Sequence, residues 1–408
     1  DRRQPQRPLR TAGKRHGDPA LLQGVLEEEM SQGTRLPRNP LRRGSQGEDS
    51  GGLGTVKAAK PIRFAELKRI LVINLAFIGD VILTTPAIRA VKEACPGAAI
   101  TMLTVPLTAE VAEMNPFVDD VMMYDKKGKD KGLLGMFSVG RRLRRRNFDM
   151  AICMNFATRG AIVAFLAGIK IRLGYDAQHA GFFLTHKASA IRTTVQHETI
   201  NHFGVLVPLG FATRNLSLVC EPPERAKRSF AQKAEKLALL ACEYIAICPF
   251  GRHERRNLSE ETVSGFLREF FADADAAKNR KVYLIGGKND AQGLEVIARS
   301  IGNNRVQVVA GTLTLQELAL FLEKADLLVT VDTGPAHIAQ AVHCPTLDIF
   351  STGDPRVWGP RGEYDIVIAE ERDAETGLLP ETDCIRSIPP ERILQSVKWI
   401  LQQSMQKQ

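Results

Sequence analysis

The chain has 408 residues, 44% hydrophobic and 25% charged, with a formal net charge of +9. This is ordinary globular composition with length enough for two domains, which excludes a fibrous or wholly disordered chain. Seven cysteines stand singly, without a Cys-x-x-Cys pair or Cys/His ligand spacing, and no apolar run is long enough to cross a bilayer; a disulfide scaffold, a zinc module and a membrane-spanning protein are excluded alike.

In chain order, residues 1–64 come first, rich in Arg, Pro, Gly and Ser and poor in hydrophobic periodicity. They predict a disordered basic extension, or else an over-extended gene start. From Arg69 strand and helix alternate: "RILVINL", a helix to Ala94 stopped by Pro96-Gly97, "AITMLTV", a helix through Glu113, then "VDDVMMYD". Two basic runs follow, "KKGKDK" (Lys126 to Lys131) and "RRLRRR" (Arg141 to Arg146). They read either as a solvated charged face or as a binding surface for phosphate, anionic lipid or nucleic acid. "FDMAICM", the apolar helix "RGAIVAFLAGI" and "IRLGYD" complete the first half, and "HETINHFGVLVPLGF" leads into a polar stretch from Asn215 to Glu224. The alternation then restarts with "YIAICPF", "KVYLIGG", "VQVVAG", "DLLVTVDTG" and "PTLDIFST", and closes on a helix from Pro390 to Gln402. Strands spaced by helices predict parallel sheets with crossover connections, hence an α/β chain of two domains, 65–225 and 226–408.

Two places on this frame carry chemistry. After the first strand, "INLAFIGDVILTTPAI" has only Gly79 where a dinucleotide fold places G-x-G-x-x-G, and Asp80 follows it. A pyrophosphate does not belong against that carboxylate. Asp80 either accepts a proton from a hydroxyl, or holds a cation or a sugar hydroxyl, at the carboxyl edge of the sheet, or serves as a helix cap or first-turn acid. Thr85 either caps a helix that starts at Pro86, or Pro86 kinks a helix begun earlier.

The phosphate site missing from the first half appears in the second. "DLLVTVDTGPAHIAQAV" runs from a strand through Asp332-Thr333-Gly334 to Pro335 and a helix, leaving N–H groups free at the helix start for an anion. The alternative is an ordinary capped turn. His337 lies in the first helical turn, where it touches a ligand or packs structurally. "CPFGRHERRNLSEE" places Arg252, His253, Arg255 and Arg256 at another carboxyl edge, as a phosphate clamp or as surface charge. "STGDPRVWGPRG" (Ser351 to Gly362) is a loop on the same edge. Asp273 and Asp275 fall at a helix end and read as solvated, not as a metal site.

Taken together, "ILVINLAFIGDVILTTPAI", "RLGYD", "VTVDTGPAHIAQAV" and "IFSTGDPRVWGP" resemble, in matching order over roughly Lys68 to Leu401, the lipopolysaccharide heptosyltransferases of glycosyltransferase family 9, of the heptosyltransferase II and III kind. The resemblance implies a GT-B architecture, two Rossmann-like domains facing a cleft, with the acceptor on the first and the nucleotide-sugar on the second. It implies Asp80 as the general base for inverting transfer from ADP-heptose to the lipopolysaccharide inner core. It places Asp332, Thr333, Gly334 and His337 on the pyrophosphate and heptose, and Arg255 against the leaving ADP. No metal and no cofactor are expected; Asp290 is the one acidic residue near the position of a ribose contact. The implied setting is cytoplasmic, as a monomer peripheral on the inner membrane, which gives the Lys126 to Arg146 cluster a membrane or acceptor role. Nucleic acid is not an expected partner. Rival readings are a nucleotide-sugar epimerase of the same shape, a different sugar donor, an oxidoreductase, and a nucleic-acid-binding module built on the basic runs.

Overall fold

Strands buried on both faces need unbroken apolar runs, and the central strands of this chain have them. The computed structural model describes residues 62–189, 195–213, 215–237, 239, 242–369 and 388–405. The first half contains β1 (Arg69–Ile73), α1 (Ile78–Leu83), α2 (Thr85–Ala94), β2 (Ala99–Thr104), α3 (Ala109–Ala112), β3 (Asp120–Met123), α4 (Gly132–Arg144), β4 (Met150–Cys153), α5 (Thr158–Leu166), β5 (Ile171–Tyr175), β6 (His186–Ala188) and α6 (Glu198–Gly204). The second contains α7 (Glu224–Lys236), β7 (Tyr244–Cys248), α8 (Glu260–Ala272), α9 (Ala274–Ala277), β8 (Lys281–Leu284), α10 (Ala291–Ile301), β9 (Val306–Val308), α11 (Leu315–Glu323), β10 (Leu327–Val331), α12 (Gly334–Ala341), β11 (Thr346–Phe350), α13 (Pro355–Trp358), β12 (Ile366–Ala369) and α14 (Pro390–Met405).

The strands form two six-stranded sheets, ordered β3-β2-β1-β4-β5-β6 and β12-β11-β10-β7-β8-β9. Every pairing described is parallel, from Ile73 opposite Cys153 in the first sheet to Thr330 opposite Cys248 in the second. Each sheet starts at its centre, winds outward to one edge, and returns past its own start to wind the other way. This is the doubly wound order, and each sheet therefore has a point, β1/β4 in one and β7/β10 in the other, where the winding reverses and a crevice opens at the carboxyl ends.

Each sheet has a core of its own. Leu71, Ile73, Leu103, Ala151 and Cys153 pack under Met136, Val139 and Leu143 of α4 and Ala161 and Ala164 of α5. Ile245, Ile247, Val329 and Ile349 pack with Phe266 and Phe270 of α8 and with Ile393, Val397 and Ile400 of α14. Two strands escaped the sequence pattern, β6 and β12, each at the end of its sheet order. The terminal helix reaches Met405, beyond the Gln402 expected. Residues 1–61, and with them the basic extension, lie outside the described residues, as does Cys384. Cys95, Cys153, Cys220, Cys248 and Cys344 are free thiols, and burial pushes those of Cys153 and Cys248 up to about 12. Among the described residues, no helix is long and apolar enough to cross a membrane.

Candidate functional site

The turn after β1 is organised by Asn74, which is fully buried. Its Nδ2 donates to the Asp80 carbonyl at 3.1 Å and to Thr84 Oγ1 at 3.2 Å, while its Oδ1 accepts from the Ala76 N–H at 3.1 Å. The helix begun at Ile78 breaks at Thr84 and resumes at Thr85, with Pro86 in its first turn. Of the two readings of Thr85 and Pro86, the kink is the one observed. Proline has no N–H for the Ile82 carbonyl, and Thr85 Oγ1 takes its place, donating to that oxygen at 2.7 Å. Thr85 Oγ1 also accepts the Val219 N–H at 3.1 Å, so one hydroxyl serves two backbone groups.

Asp80 is the third residue of α1, and its Oδ2 accepts the Phe77 N–H at 3.2 Å. The first-turn role is thus present, and it occupies one carboxylate oxygen. A second relation was not legible in the chain. Glu198 and His202, one turn apart on α6, are buried beside Asp80. One carboxylate oxygen of each acid and a ring nitrogen of His202 lie within 4.8 Å of one another. Nε2 of His202 has no hydrogen-bond partner among the described residues. Such a set can pass a proton or hold a cation.

Across from this turn stand the carboxyl ends of β7, β10 and β11. Arg252 of the β7 turn lies over the Phe77 ring, 4.1 Å from its centre. The start of α12 meets the start of α1 through two glycines: a Cβ on Gly334 would lie 3.0 Å from Ile78 Cβ, and one on Gly79 would lie 2.5 Å from His337 Cδ2. Asp80 and the "DTGPAH" segment, distant in sequence, are brought to one seam. The helix begins at Gly334, so Pro335 is its second residue and not its first. Thr333 precedes it with extended backbone and no side-chain cap; its carbonyl takes the Ala336 N–H at 3.1 Å and Pro335 has no N–H, which leaves the Gly334 N–H at the helix start to other acceptors.

Asp332 is buried and paired, with Oδ2 at 2.9 Å from Arg256 Nη1. Burial raises its carboxyl above the usual range, and Arg256 opposes that rise. Arg256 also donates to the Asp332 carbonyl at 3.2 Å and to Thr352 Oγ1 at 3.3 Å, which ties the β7, β10 and β11 turns together. Behind it, burial first and the charge of Asp332 second push the Asp348 carboxyl well above the usual carboxylate range. Arg255 is exposed and makes no ion pair among the described residues. His337 is buried, its Nδ1 is unpartnered, and burial lowers its pKa to about 4, so the ring is neutral at physiological pH. It is a polar neighbour for a ligand, not a cation.

The Ser351 to Gly362 loop reaches the first half. His197, the N-cap of α6, accepts the Thr199 N–H at Nδ1 and places Nε2 3.0 Å from the Gly359 carbonyl, which assigns the ring proton to Nε2. Its pKa lies well below the ordinary value, through burial first and the nearby charge of Arg361 second. Arg361 is itself lowered to about 10 by burial, and no carboxylate offsets that burial among the described residues. A partly buried guanidinium without a counter-ion is a place for an anion. Asp273, which the sequence reads as solvated, instead caps α9 through the Ala276 N–H at 2.9 Å and pairs with Lys398 at 2.5 Å. Asp290 accepts the Gly287 N–H at 2.7 Å.

The chain is similar to known proteins in family and in fold. A family model described as glycosyltransferase family 9 (heptosyltransferase) matches residues 136–378. Lipopolysaccharide heptosyltransferase 3 of Escherichia coli is 26% identical over 337 residues, which cover 77% of this chain and 96% of that one. Among solved structures, a family 9 glycosyl transferase from Veillonella parvula superimposes with a TM-score of 0.72 at 23% identity, covering 84% of this chain and 99% of that one. Escherichia coli ADP-heptose lps heptosyltransferase II does so with a TM-score of 0.69 at 17% identity, covering 83% and 99%. The shared fold is GT-B, two Rossmann-like domains facing a cleft.

Proposed function

The chain belongs to glycosyltransferase family 9 (heptosyltransferase) and is a glycosyltransferase, and from that premise we propose that it moves a heptose from ADP-heptose to the inner core of lipopolysaccharide with inversion and without a metal. The observation that carries the reading is the seam itself. One winding-reversal point presents a carboxylate, Asp80; the other presents a helix start and arginines; and the two meet through Gly79 and Gly334.

In this mechanism the acceptor hydroxyl, held by the domain 65–225, gives its proton to Asp80, and its oxygen attacks the anomeric carbon as the bond to ADP breaks. The domain 226–408 holds the nucleotide-sugar. The diphosphate gathers at the Gly334 N–H, with Thr333 and His337 as neutral hydrogen-bonding groups. Asp332 acts through Arg256, which it fixes. Arg255 and Arg361 add positive charge as the leaving group forms, stabilisation of the kind that a preorganised site supplies without solvent rearrangement. The protein acts as a monomer on the cytoplasmic face of the inner membrane and binds it peripherally.

The test is Asp80→Asn with ADP-heptose and truncated core acceptors. Turnover should fall at least about a hundredfold while ADP affinity by calorimetry is unchanged. Near-normal turnover would remove Asp80 from the chemistry. Activity abolished by EDTA and restored by a divalent ion would overturn the metal-free scheme and direct attention to Asp80, Glu198 and His202.

A further inference from the structure

Helix α4 has two unlike faces. Met136, Val139, Gly140 and Leu143 recur at helical spacing and are buried. On the opposite face Leu133, Leu134 and Phe137 are 73%, 86% and 57% exposed. Large apolar side chains grouped on the surface mark a contact. The same outward face continues into Arg141, Arg144 and Arg145, and the loop before the helix carries Lys127, Lys129 and Lys131, all exposed.

Residues 124–146 hold nine Lys and Arg against two acids, Asp125 and Asp130. Both acids are engaged within the protein. Asp130 is buried and pairs with Arg142 at 2.8 Å, and Asp125 accepts the Gly128 N–H at 2.9 Å. Arg146 pairs with Asp120 at 3.0 Å. The six exposed cations named above form no ion pair among the described residues. Three apolar side chains flanked on both sides by unpaired cations have the chemistry of a helix that lies in the interface of an anionic bilayer.

We infer that α4 is the membrane-docking element: Leu133, Leu134 and Phe137 enter the boundary between headgroups and acyl chains, while the flanking lysines and arginines meet lipid phosphates. Its place in the fold suits this. The chain leaves β3 at the carboxyl edge of the sheet, so the first turn of α4, with its apolar residues, starts on the edge that carries Asp80. Lys126, in the connecting loop, donates from Nζ to the Leu75 carbonyl at 2.6 Å, joining that loop to the turn before Asp80. The inference rests on the proposed reaction for its purpose, because a lipid-anchored acceptor would arrive at that edge, but not for its measurement.

The test is flotation of the full chain with vesicles of phosphatidylethanolamine and phosphatidylglycerol, and separately with phosphatidylcholine. The native chain should float with the anionic vesicles. Leu133→Ser, Leu134→Ser and Phe137→Ser combined should lower partitioning at least about tenfold, because exposed positions tolerate serine, while turnover on a water-soluble, delipidated acceptor stays at the native value. Lys127→Gln, Lys129→Gln and Lys131→Gln combined should weaken binding mainly at low salt. Equal vesicle binding by the native chain and the serine variant would overturn the inference. So would a native dimer that the serine variant dissociates, with no vesicle binding by either protein, since the face would then hold a second copy. Vesicle binding lost in the serine variant, with no heptose transfer by either protein, would support docking and overturn the proposed reaction.

Discussion

His337 gives a prediction whose size follows from its burial. The ring is 4% exposed, and burial lowers its pKa from 6.5 to about 4. As pH falls through 6.5, the unfolded chain takes up a proton on this ring and the folded chain does not. Stability is therefore full above the unfolded value and is lost as pH falls toward about 4, below which both states are protonated. At about 1.4 kcal/mol for each pH unit between those values, His337 accounts for a loss of about 3 kcal/mol. His197, lowered by burial and by Arg361, acts in the same direction. Urea unfolding across this interval, followed by tryptophan fluorescence, measures the slope; Trp358 sits 6.4 Å from the His337 ring and reports locally. His337→Gln should remove one proton from that slope. Native and variant proteins with the same pH dependence would refute the assignment of a buried neutral ring.

Two further outcomes follow from single contacts. Arg361→Gln should weaken ADP binding about tenfold or more by calorimetry and leave folding stability unchanged or higher, because a partly buried cation without a counter-ion is removed; unchanged ADP affinity would take Arg361 out of the site. Thr85→Val keeps the shape but strands the Ile82 carbonyl and the Val219 N–H, and should cost about 2 kcal/mol in urea unfolding. A loss under about 0.5 kcal/mol would mean that other groups take over those bonds.

What was legible in the chain was what neighbours in sequence can encode. β1, β7, β10 and β11 read as apolar runs because both faces are covered, and the absence of a glycine triad at Asp80 was plain. β6, the three residues His-Lys-Ala, has no pattern to read, since a strand at the end of the sheet order is specified by its partner and not by its own side chains. Glu198, His202, His197 and Arg361 were missed as site residues because tertiary folding alone brings them to the seam. Arg255 and Arg256 are adjacent in one turn, and the backbone path through that turn decides which guanidinium faces Asp332. The choice at Thr85 was open for a similar reason: a threonine before a proline satisfies either a cap or a kink until the free carbonyl is located.

The paired glycines have a consequence for distance. Where two catalytic groups face each other through side chains, their spacing can be retuned by rotamers or by one longer residue. Here Ile78 rests on the bare backbone of Gly334, and His337 on that of Gly79. The span between the Asp80 carboxylate and the proposed anion-binding helix start is gauged, in both directions, by one side chain against bare main chain. The two positions differ in tolerance: a methyl at Gly334 asks Ile78 to give by a few tenths of an ångström, whereas one at Gly79 has to displace the buried His337 ring, so the proposed reaction's two halves are spaced most strictly at Gly79.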